Sequence, residues 1–298
     1  MGKATRIKQQ SAREKVAAQR EAARKAERRN RIMITGGSTL VVLVIVAAFI
    51  VIKLSQGSPS SSGGSSTGTL LPASVSSQVT GVPAATLDRV GKGAVPTFTR
   101  GQPALAPGSG AALTSGGKPQ MLYIGAEYCP YCAATRWSMA VALSRFGTLT
   151  PLHGIHSSST DAFPNTATLT FFGSTYTSNY LVFTPVETQD VNHNPLQTPT
   201  AAQKALWAKY EPPGNSYPFI DIGNRYVATT TYNPQVLQGL SWNQIATDLH
   251  NPSSPVAQGA VGSANLLTAA ICKITGNAPA SVCTAAPFPA IESRLALR

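Results

Sequence analysis

Two cysteines three positions apart, Cys129 and Cys132, are the residues whose types and spacing best fit covalent chemistry. The apolar run 121–126 before them has the length and composition of a β-strand, and the pattern 130–146 after them is typical of a helix. A thiol at a helix N-terminus faces the positive end of the helix dipole and several unpaired N–H groups, which favour the thiolate. The arrangement predicts dithiol–disulfide exchange, with Cys129, nearer the helix start, as the nucleophile and Cys132 as the resolving thiol.

The predicted helix 130–146 carries a wide apolar arc and a narrower polar stripe, so we expect one face in the core and the other in water. Trp137 and Phe146 are predicted core residues. Arg136 lies one turn after the second cysteine: either its charge lowers the pKa of the thiols, or it is an ordinary snorkelling or paired arginine. Glu127, just before the cysteines, is either a proton-handling carboxylate or a plain surface or ion-paired residue.

The formal net charge of +12 is concentrated in one tail. Residues 1–31 carry 11 Lys or Arg against 3 Glu, whereas the remaining residues carry 13 basic and 9 acidic side chains. The 19 residues 34–52 contain no charge and can span a bilayer as one helix. No clear signal-peptide cleavage site follows, and positive residues beside a span stay cytoplasmic. We therefore predict a basic cytoplasmic tail at 1–31, a transmembrane anchor at 32–54 and no nucleic-acid binding.

The rest of the chain is predicted to form a flexible Ser/Gly linker at 55–80 and one extracytoplasmic domain at 81–298. Besides the strand and helix around the cysteines, this domain is predicted to contain several further elements. The helices are at 82–91, 199–210, 241–250 and 256–274, the strands are at 148–158, 166–177 and 177–188, and a hairpin is at 216–230. Pro185 favours an edge position or a strand end for the third of these strands. The hairpin is predicted to turn at Gly223-Asn224, and Ser241 is a predicted cap of the helix at 241–250.

The other two cysteines, Cys272 and Cys283, bring the count to four, which fits two disulfides in an exported domain. The simplest pairing is Cys129–Cys132 and Cys272–Cys283, although the sequence also permits pairs between the two sets. For Cys272–Cys283 a structural role and an electron-relaying role both stay open. A zinc site that adds the two histidines of 153–156 is disfavoured, because strand residues three apart point to opposite faces. We expect neither a metal nor a cofactor.

The strand, the C-x2-C pair, the helix and a downstream hairpin led by proline resemble the thioredoxin superfamily. The resemblance implies an α/β fold in which a cis proline precedes a strand and faces the active-site disulfide. Tyr217-Pro218 before the FIDI strand matches that element, so Pro218 is expected to shape the substrate groove. About 70 residues separate the first helix from Pro218, which indicates a large insertion between the active-site helix and the cis-Pro hairpin.

Longer segments resemble DUF929, a family catalogued as a domain of unknown function. The matching words are GKPQMLYIGAEYCPYCAATRWSMAVALSRFG at 117–147, FFGSTYTSNYLVF at 171–183 and PVE at 185–187. The resemblance covers roughly residues 80–290. It implies a membrane-anchored thioredoxin-like domain and names no substrate.

Together these features predict a single-pass, extracytoplasmic thiol–disulfide oxidoreductase. Its expected partners are exported client proteins with thiols or disulfides, an unidentified membrane redox partner, and the lipid bilayer through 32–54. Two other functions stay open: a non-catalytic thioredoxin-like binding or scaffold module, and a copper-handling thiol protein. Cysteines three apart close almost no loop and make a poor staple for a fold, which favours chemistry. No phosphate loop, carboxylate pair or G-x-S-x-G turn indicates another reaction.

Overall fold

The computed structural model of the protein describes residues 68–95, 98–99, 102–210, 216–229 and 232–295. The predicted tail, the predicted anchor at 32–54 and the first half of the predicted linker, 55–67, lie outside these residues. No helix of the described part is long and apolar enough to cross a membrane. Helices and strands together form a mixed α/β fold, as predicted.

The described ranges contain eight α-helices, one 3-10 helix and one π-helical turn. The α-helices are α1 (Ala73–Thr80), α2 (Ala84–Val90), α3 (Pro130–Leu143), α4 (Ala201–Tyr210), α5 (Trp242–Asp248), α6 (Gly262–Ile274), α7 (Ala280–Cys283) and α8 (Phe288–Glu292). The 3-10 helix is Pro234–Leu237, and the π-helical turn, Ala257–Val261, runs directly into α6.

Thirteen strands lie in the same ranges. They are β1 (Thr69–Leu70), β2 (Phe98–Thr99), β3 (Gln102–Pro103), β4 (Leu105–Pro107), β5 (Thr114–Ser115), β6 (Lys118–Gly125), β7 (Gly147–Thr150), β8 (His153–His156), β9 (Ala167–Thr170), β10 (Thr175–Ser178), β11 (Val182–Glu187), β12 (Phe219–Ile222) and β13 (Tyr226–Ala228).

The largest sheet is built around β6, the strand that leads to the cysteines. Its order is β11-β6-β12-β13-β4, and β5 pairs with the start of β6. β11 runs parallel to β6 with Glu187 opposite Gly125, and β12 runs antiparallel with Phe219 opposite Ile124. The carboxyl end of β6 therefore meets the end of β11 and the start of β12. Pro185 lies in β11, an outer strand of this sheet, as predicted.

The strands between α3 and α4 are shorter than the sequence indicates. The predicted strand 148–158 is divided into β7 and β8 at Pro151, which has no N–H to continue a ladder. The predicted strand 166–177 is divided into β9 and β10 by a turn in which Ser174 N–H donates to Phe171 O at 3.1 Å. β8 pairs with β1 on one side and with β9 on the other, and β10 pairs with β7. Short two-residue strands, β2 and β3, form a further pair.

Both faces of β6 are buried, which explains its unbroken apolar sequence. Met121 and Tyr123 belong to the main core, whereas Leu122 and Ile124 belong to a second cluster on the opposite face. Trp207 of α4 covers that second cluster. The sheet is thus held from both sides, and the position of its carboxyl end is well defined by packing.

Helix α3 is buried around its whole circumference, which corrects the prediction of a water-exposed face. Thr135 and Ser138, which the sequence assigns to a polar stripe, are both buried. Helices α1 and α6, the π-helical turn and strand β9 pack around α3. The pattern of one helix shows its most apolar side but not how many neighbours surround it. Trp137 and Phe146 lie in the core, as predicted.

The predicted linker at 55–80 extends too far. Residues 69–70 form β1, and α1 follows directly at Ala73–Thr80. Val75 and Val79, one helical turn apart, point to the same side and are buried in the main core. The folded part therefore includes residues that their serine-rich composition assigns to a linker.

Two local predictions are confirmed at residue level. Gly223 and Asn224 have φ of 66° and 53°, a region that glycine and asparagine tolerate, and they connect β12 to β13. Ser241 caps α5 through a capping box in which its hydroxyl and the side chain of Gln244 exchange hydrogen bonds with the backbone.

Candidate functional site

The two cysteines lie at the junction between β6 and α3. Cys129 is the N-cap residue of α3, and Pro130 occupies the first helical position, where its missing N–H costs nothing. The N–H of Cys132 donates to Cys129 Sγ at 3.3 Å. The two sulfurs are not bonded to each other, so the structure describes the dithiol form, and their oxidation to a disulfide stays a prediction.

The two thiols have opposite pKa shifts. The thiol of Cys132 donates to Cys129 Sγ, and this bond is the largest cause that lowers the pKa of Cys129, helped by backbone N–H groups and the charge of Arg136. Burial is the largest cause that raises the pKa of Cys132, and the hydrogen bond to Cys129 adds to it. Cys129 is 6% exposed and Cys132 is 0% exposed. The surroundings of Cys129 thus favour the thiolate, and its sulfur retains some exposure to solvent. Those of Cys132 favour a buried, protonated thiol.

Arg136 forms a fully buried ion pair directly behind the cysteines. Its Nε and Nη2 donate to the two carboxylate oxygens of Glu187 at 2.8 and 2.7 Å. Nη2 also donates to Ala126 O at 2.8 Å, and the same carbonyl accepts the N–H of Cys129 at 3.2 Å. Arg136 is therefore a paired arginine, and its charge also lowers the pKa of Cys129. The two interpretations that the sequence offers for this residue are compatible.

Glu127 is a buried carboxyl group without a cationic partner among the described residues. Its side chain is 2% exposed, and Thr170 Oγ1 donates to its Oε1 at 2.5 Å. Burial raises the pKa of Glu127 to about 7, although the Thr170 bond and the charge of Arg136 oppose the shift. Glu127 is therefore not a surface residue, and no ion pair of it occurs among the described residues. A role in proton handling stays a prediction.

Pro218 lies near the end of β6, between Phe219, which pairs with that strand, and Tyr217, which packs on the cysteines. The Tyr217–Pro218 peptide bond is cis. The register of β12 continues from the pair Phe219–Ile124 and puts Pro218 next to Gly125, at the end of β6. The ring of Tyr217 packs on the cluster formed by the two cysteines and Ala126. Pro218 and the cysteines are therefore neighbours in space although they lie far apart in the sequence.

Aromatic rings surround the exposed side of the cysteines. Tyr128 and His193 have ring centroids 3.9 Å apart, and Tyr128 contacts Tyr217 edge to face. Tyr131 contacts Phe163 edge to face. These rings limit the directions from which another molecule can reach Cys129.

A polar groove of about 700 Å³ opens next to this aromatic surface. Glu127, His156 and Trp242 line it, together with the serine-rich segment 157–160 and the loop 191–193. The N–H of Ser158 donates to Tyr128 O at 2.9 Å, so one groove wall is tied to the residue that precedes Cys129. The groove therefore begins close to the nucleophile.

A comparison with protein-family models found one match, the Domain of unknown function (DUF929), over residues 106–273. The match covers more than half of the chain. The chain belongs to the DUF929 family. A search of curated proteins and a search of solved structures found no match.

The DUF929 match contains every residue of the cysteine site. Cys129, Cys132, Arg136, Glu187 and Pro218 all lie between residues 106 and 273. The family match ends ten residues before Cys283, the second half of the other cysteine pair. The cysteine site thus lies inside the part that defines the DUF929 family.

The second cysteine pair is bonded, as the simplest pairing predicts. Cys272 of α6 and Cys283 of α7 form a disulfide with Cα atoms 5.5 Å apart. Both belong to the main core, whereas Cys129 and Cys132 form a separate small cluster. Whether the bond is structural or relays electrons stays open. No group of three or more potential metal ligands occurs among the described residues of this DUF929 protein.

Sequence reasoning missed three residues of this DUF929 site. Glu187 pairs with Arg136, and Thr170 donates a hydrogen bond to Glu127. Tyr217 packs on the cysteines. A signal for Glu187 was present, because it ends a strand, and the carboxyl ends of parallel strands meet at one edge of a sheet. Tyr217 directly precedes Pro218, which the resemblance places at the cysteines, so a signal for it was also present. Thr170 carries no comparable signal, since its partner is far away in the sequence.

Proposed function

We propose that this protein is a thiol–disulfide oxidoreductase that acts through Cys129 and Cys132. The observation that carries the proposal is the unequal pair of thiols at the start of α3. Cys129 has a lowered pKa and retains some exposure, and Cys132 is fully buried with a raised pKa. A nucleophilic thiolate beside a protected resolving thiol is what sequential disulfide exchange requires.

In the proposed reaction the Cys129 thiolate attacks one sulfur of a client disulfide. The client S–S bond breaks, and its other sulfur leaves as a thiolate with the bonding electron pair. Cys132 then loses its proton and attacks Cys129 Sγ, which releases the second client sulfur as a thiolate. Two electrons pass from the dithiol to the client, the Cys129–Cys132 disulfide forms, and the two client thiolates take up protons. The reverse sequence oxidises a client dithiol.

A thioredoxin-like arrangement is part of this proposal. It is supported by a central strand that leads into a C-x2-C helix start, and by a neighbouring hairpin that begins at Pro218. Pro218 borders the cysteines at the end of β6 and would hold the backbone of a client next to Cys129. The segment between α3 and that hairpin, with β7 to β11 and α4, forms the large insertion.

The proposed setting is the outer side of a membrane. The uncharged run within 32–54 would anchor the chain, and the basic tail would stay in the cytoplasm. The proposed partners are exported proteins with thiols or disulfides and a membrane protein that renews the redox state of the cysteines. The Cys272–Cys283 bond agrees with such a location, since disulfides persist mainly outside the cytosol.

The first test is the reduction potential of the purified full-length protein, titrated in glutathione and dithiothreitol buffers. We expect Cys129–Cys132 to titrate between about −270 and −120 mV, the range of exchange catalysts. The double variant Cys272→Ser/Cys283→Ser is the control and should have the same potential. A pair that resists reduction below about −300 mV, or a pair that never oxidises, would contradict the proposal.

Single substitutions test the two roles separately. Cys129→Ser should abolish exchange with a peptide disulfide, because it removes the attacking thiolate. Cys132→Ser should accumulate a mixed disulfide with the client, because nothing resolves it. Full exchange activity in Cys129→Ser is incompatible with the proposal.

A further inference from the structure

The buried carboxyl group of Glu127 is the feature of this site that the exchange reaction does not use. Arg136, whose charge acts on Glu127, is committed to Glu187 through two hydrogen bonds. Among the described residues, Thr170 is the side-chain partner of Glu127 and bonds only its Oε1. A buried carboxylate is costly without an opposite charge, so its retention here requires another explanation.

Glu127 lines the polar groove beside Cys129, and no lysine or arginine lines that groove. The rest of the lining contains hydroxyl and amide side chains, two imidazoles and an indole. Burial lowers the pKa of His156, so this imidazole is neutral at pH 7. Other acidic groups lie close by, because the carboxylate of Asp190 acts on Glu127 and that of Asp161 acts on Tyr128. The local charge is therefore complementary to a positively charged ligand.

The chemistry of the groove distinguishes an organic cation from a metal ion. The described residues contain no group of three or more His, Cys, Asp or Glu side chains that could hold a metal. A lysine or arginine side chain needs only one carboxylate and a few hydrogen-bond acceptors, which the carboxyl of Glu127 and the hydroxyls of 157–160 provide. A volume of about 700 Å³ lies within the range of ligand sites in proteins.

The position of the groove fits a residue close to the cysteine of a client. Glu127 is two residues before Cys129, and the groove wall is bonded to Tyr128 through Ser158. A polypeptide held at Cys129 would extend past Tyr128, whose ring packs against His193 of the groove lining. A side chain a few residues from the attacked sulfur would then reach Glu127.

We propose that this groove is a specificity site that binds a lysine or arginine side chain of the client polypeptide, next to its reactive cysteine, through Glu127. The inference rests on the proposed function, because it names the class of client that the cysteines serve. The ligand cation compensates the charge of Glu127 when the carboxyl ionises. Clients with an acidic residue at the same position are disfavoured by repulsion.

The test uses the purified full-length protein and short synthetic peptides that differ only in one residue near a central cysteine: arginine, glutamine or glutamate. Versions with serine in place of that cysteine are used for binding by calorimetry, and disulfide-bonded versions for exchange rates. At pH 7.5 we expect the arginine peptide to bind about tenfold more tightly than the glutamine peptide, and the glutamate peptide most weakly. Exchange rates at low peptide concentration should follow the same order.

Two variants separate a specific contact from general electrostatics. Glu127→Gln should remove the preference for arginine, while Asp161→Asn, which removes an exposed acid outside the groove lining, should keep it. Equal binding of the arginine and glutamine peptides by the unaltered protein would overturn the inference, whatever the variants do. An equal loss of preference in both variants would also overturn it.

The same measurements distinguish this inference from the proposed function. Arginine-dependent binding of the serine peptides without any exchange of the disulfide peptides would refute the oxidoreductase and keep the groove. Exchange of all peptides at equal rates and with equal affinities would keep the oxidoreductase and refute the groove.

Discussion

The chemistry of the site depends on a difference between two thiols that are nearly adjacent in the sequence. Cys129 accepts hydrogen bonds at the N-terminus of α3, whereas Cys132 has turned into the protein and donates to it. Because a thiolate reacts and a thiol does not, the lowered pKa of Cys129 would make it the first nucleophile of the proposed exchange. The raised pKa of Cys132 would delay its attack until Cys129 is engaged.

This difference is measurable by alkylation of the reduced protein. At pH 7 iodoacetamide should modify Cys129 about 100-fold faster than Cys132, because both thiolate fraction and access favour Cys129. Mass spectrometry of peptides locates the label, and Cys129→Ser should leave little labelling. Equal modification of the two cysteines would contradict the assigned roles.

Glu127 makes stability depend on pH. Its pKa is about 7 in the folded protein, above the ordinary value of 4.5, because burial disfavours the charged form. Between these two values the folded state holds a proton that the unfolded state has lost. The free energy of unfolding therefore falls as the pH rises from about 4.5 to about 7, and the full penalty is present above pH 7.

Glu127→Gln should remove this penalty. The amide oxygen of glutamine still accepts the hydroxyl of Thr170, and it carries no charge. At pH 8 we expect the free energy of unfolding to rise by about 1–3 kcal/mol, and at pH 4.5 to change little. Urea unfolding at the two pH values measures this. An equal effect at both would show that the charge of Glu127 is not the cause.

At the scale of elements, one ion pair joins the parts that carry the site. Arg136 belongs to α3, Glu187 ends β11, and the carbonyl of Ala126 belongs to the turn after β6. The backbone N–H of Ala126 supports the sulfur of Cys132, and its carbonyl accepts the N–H of Cys129. The arginine therefore influences both cysteines by its charge and by the position of one peptide group.

Removal of this ion pair should lower the reduction potential. Loss of the positive charge destabilises the Cys129 thiolate and thereby the reduced form. Since removal of one partner leaves a buried charge, the double variant Arg136→Met/Glu187→Met is the suitable change. We expect a potential about 30 mV more negative and a higher pKa of Cys129, read from thiolate absorbance.

A second ion pair provides the matched control. Lys273 and Glu292 are 3.7 Å apart and partly exposed, and they join α6 to α8. The double variant Lys273→Met/Glu292→Gln should leave the potential and the pKa of Cys129 unchanged. If both double variants shift the potential equally, general destabilisation explains the result better than the charge of Arg136.

At the scale of the whole molecule, the site is supported from behind by a large core. Helix α3 is enclosed, and α6, one of the helices that cover it, is linked to α7 by the Cys272–Cys283 bond. A disulfide over so short a loop stabilises chiefly by restricting the unfolded chain. The bond should therefore raise the free energy of unfolding of the whole folded part.

The double variant Cys272→Ala/Cys283→Ala should lower the free energy of unfolding by roughly 2–3 kcal/mol. Denaturant titration of the oxidised protein measures the loss. The alkylation rate of Cys129 and the potential of the first pair should not change, because the two pairs belong to different clusters. A changed exchange rate with unchanged stability would favour the electron-relaying role instead.

Local features of the site were predictable from the sequence. A strand, a C-x2-C pair with Pro130 and a helix are adjacent in the chain, and short-range rules of capping and burial determine their arrangement. The hairpin at Gly223–Asn224 and the cap at Ser241 follow for the same reason. The mixed α/β class and the bond between Cys272 and Cys283 were also correct.

The tertiary structure decided everything that depends on partners distant in sequence. The pairing of Arg136 depends on Glu187, and the buried position of Glu127 depends on neighbours such as Thr170. The exposure of α3 to water depends on the helices that pack around it. Periodicity within one element gives its most apolar side, but not the number or identity of its neighbours. The same limit applies to pKa values, because burial and opposite charges arise only when separate segments come together. The sequence by itself thus determined the position of the C-x2-C pair at the start of a helix, and packing decided its charge environment.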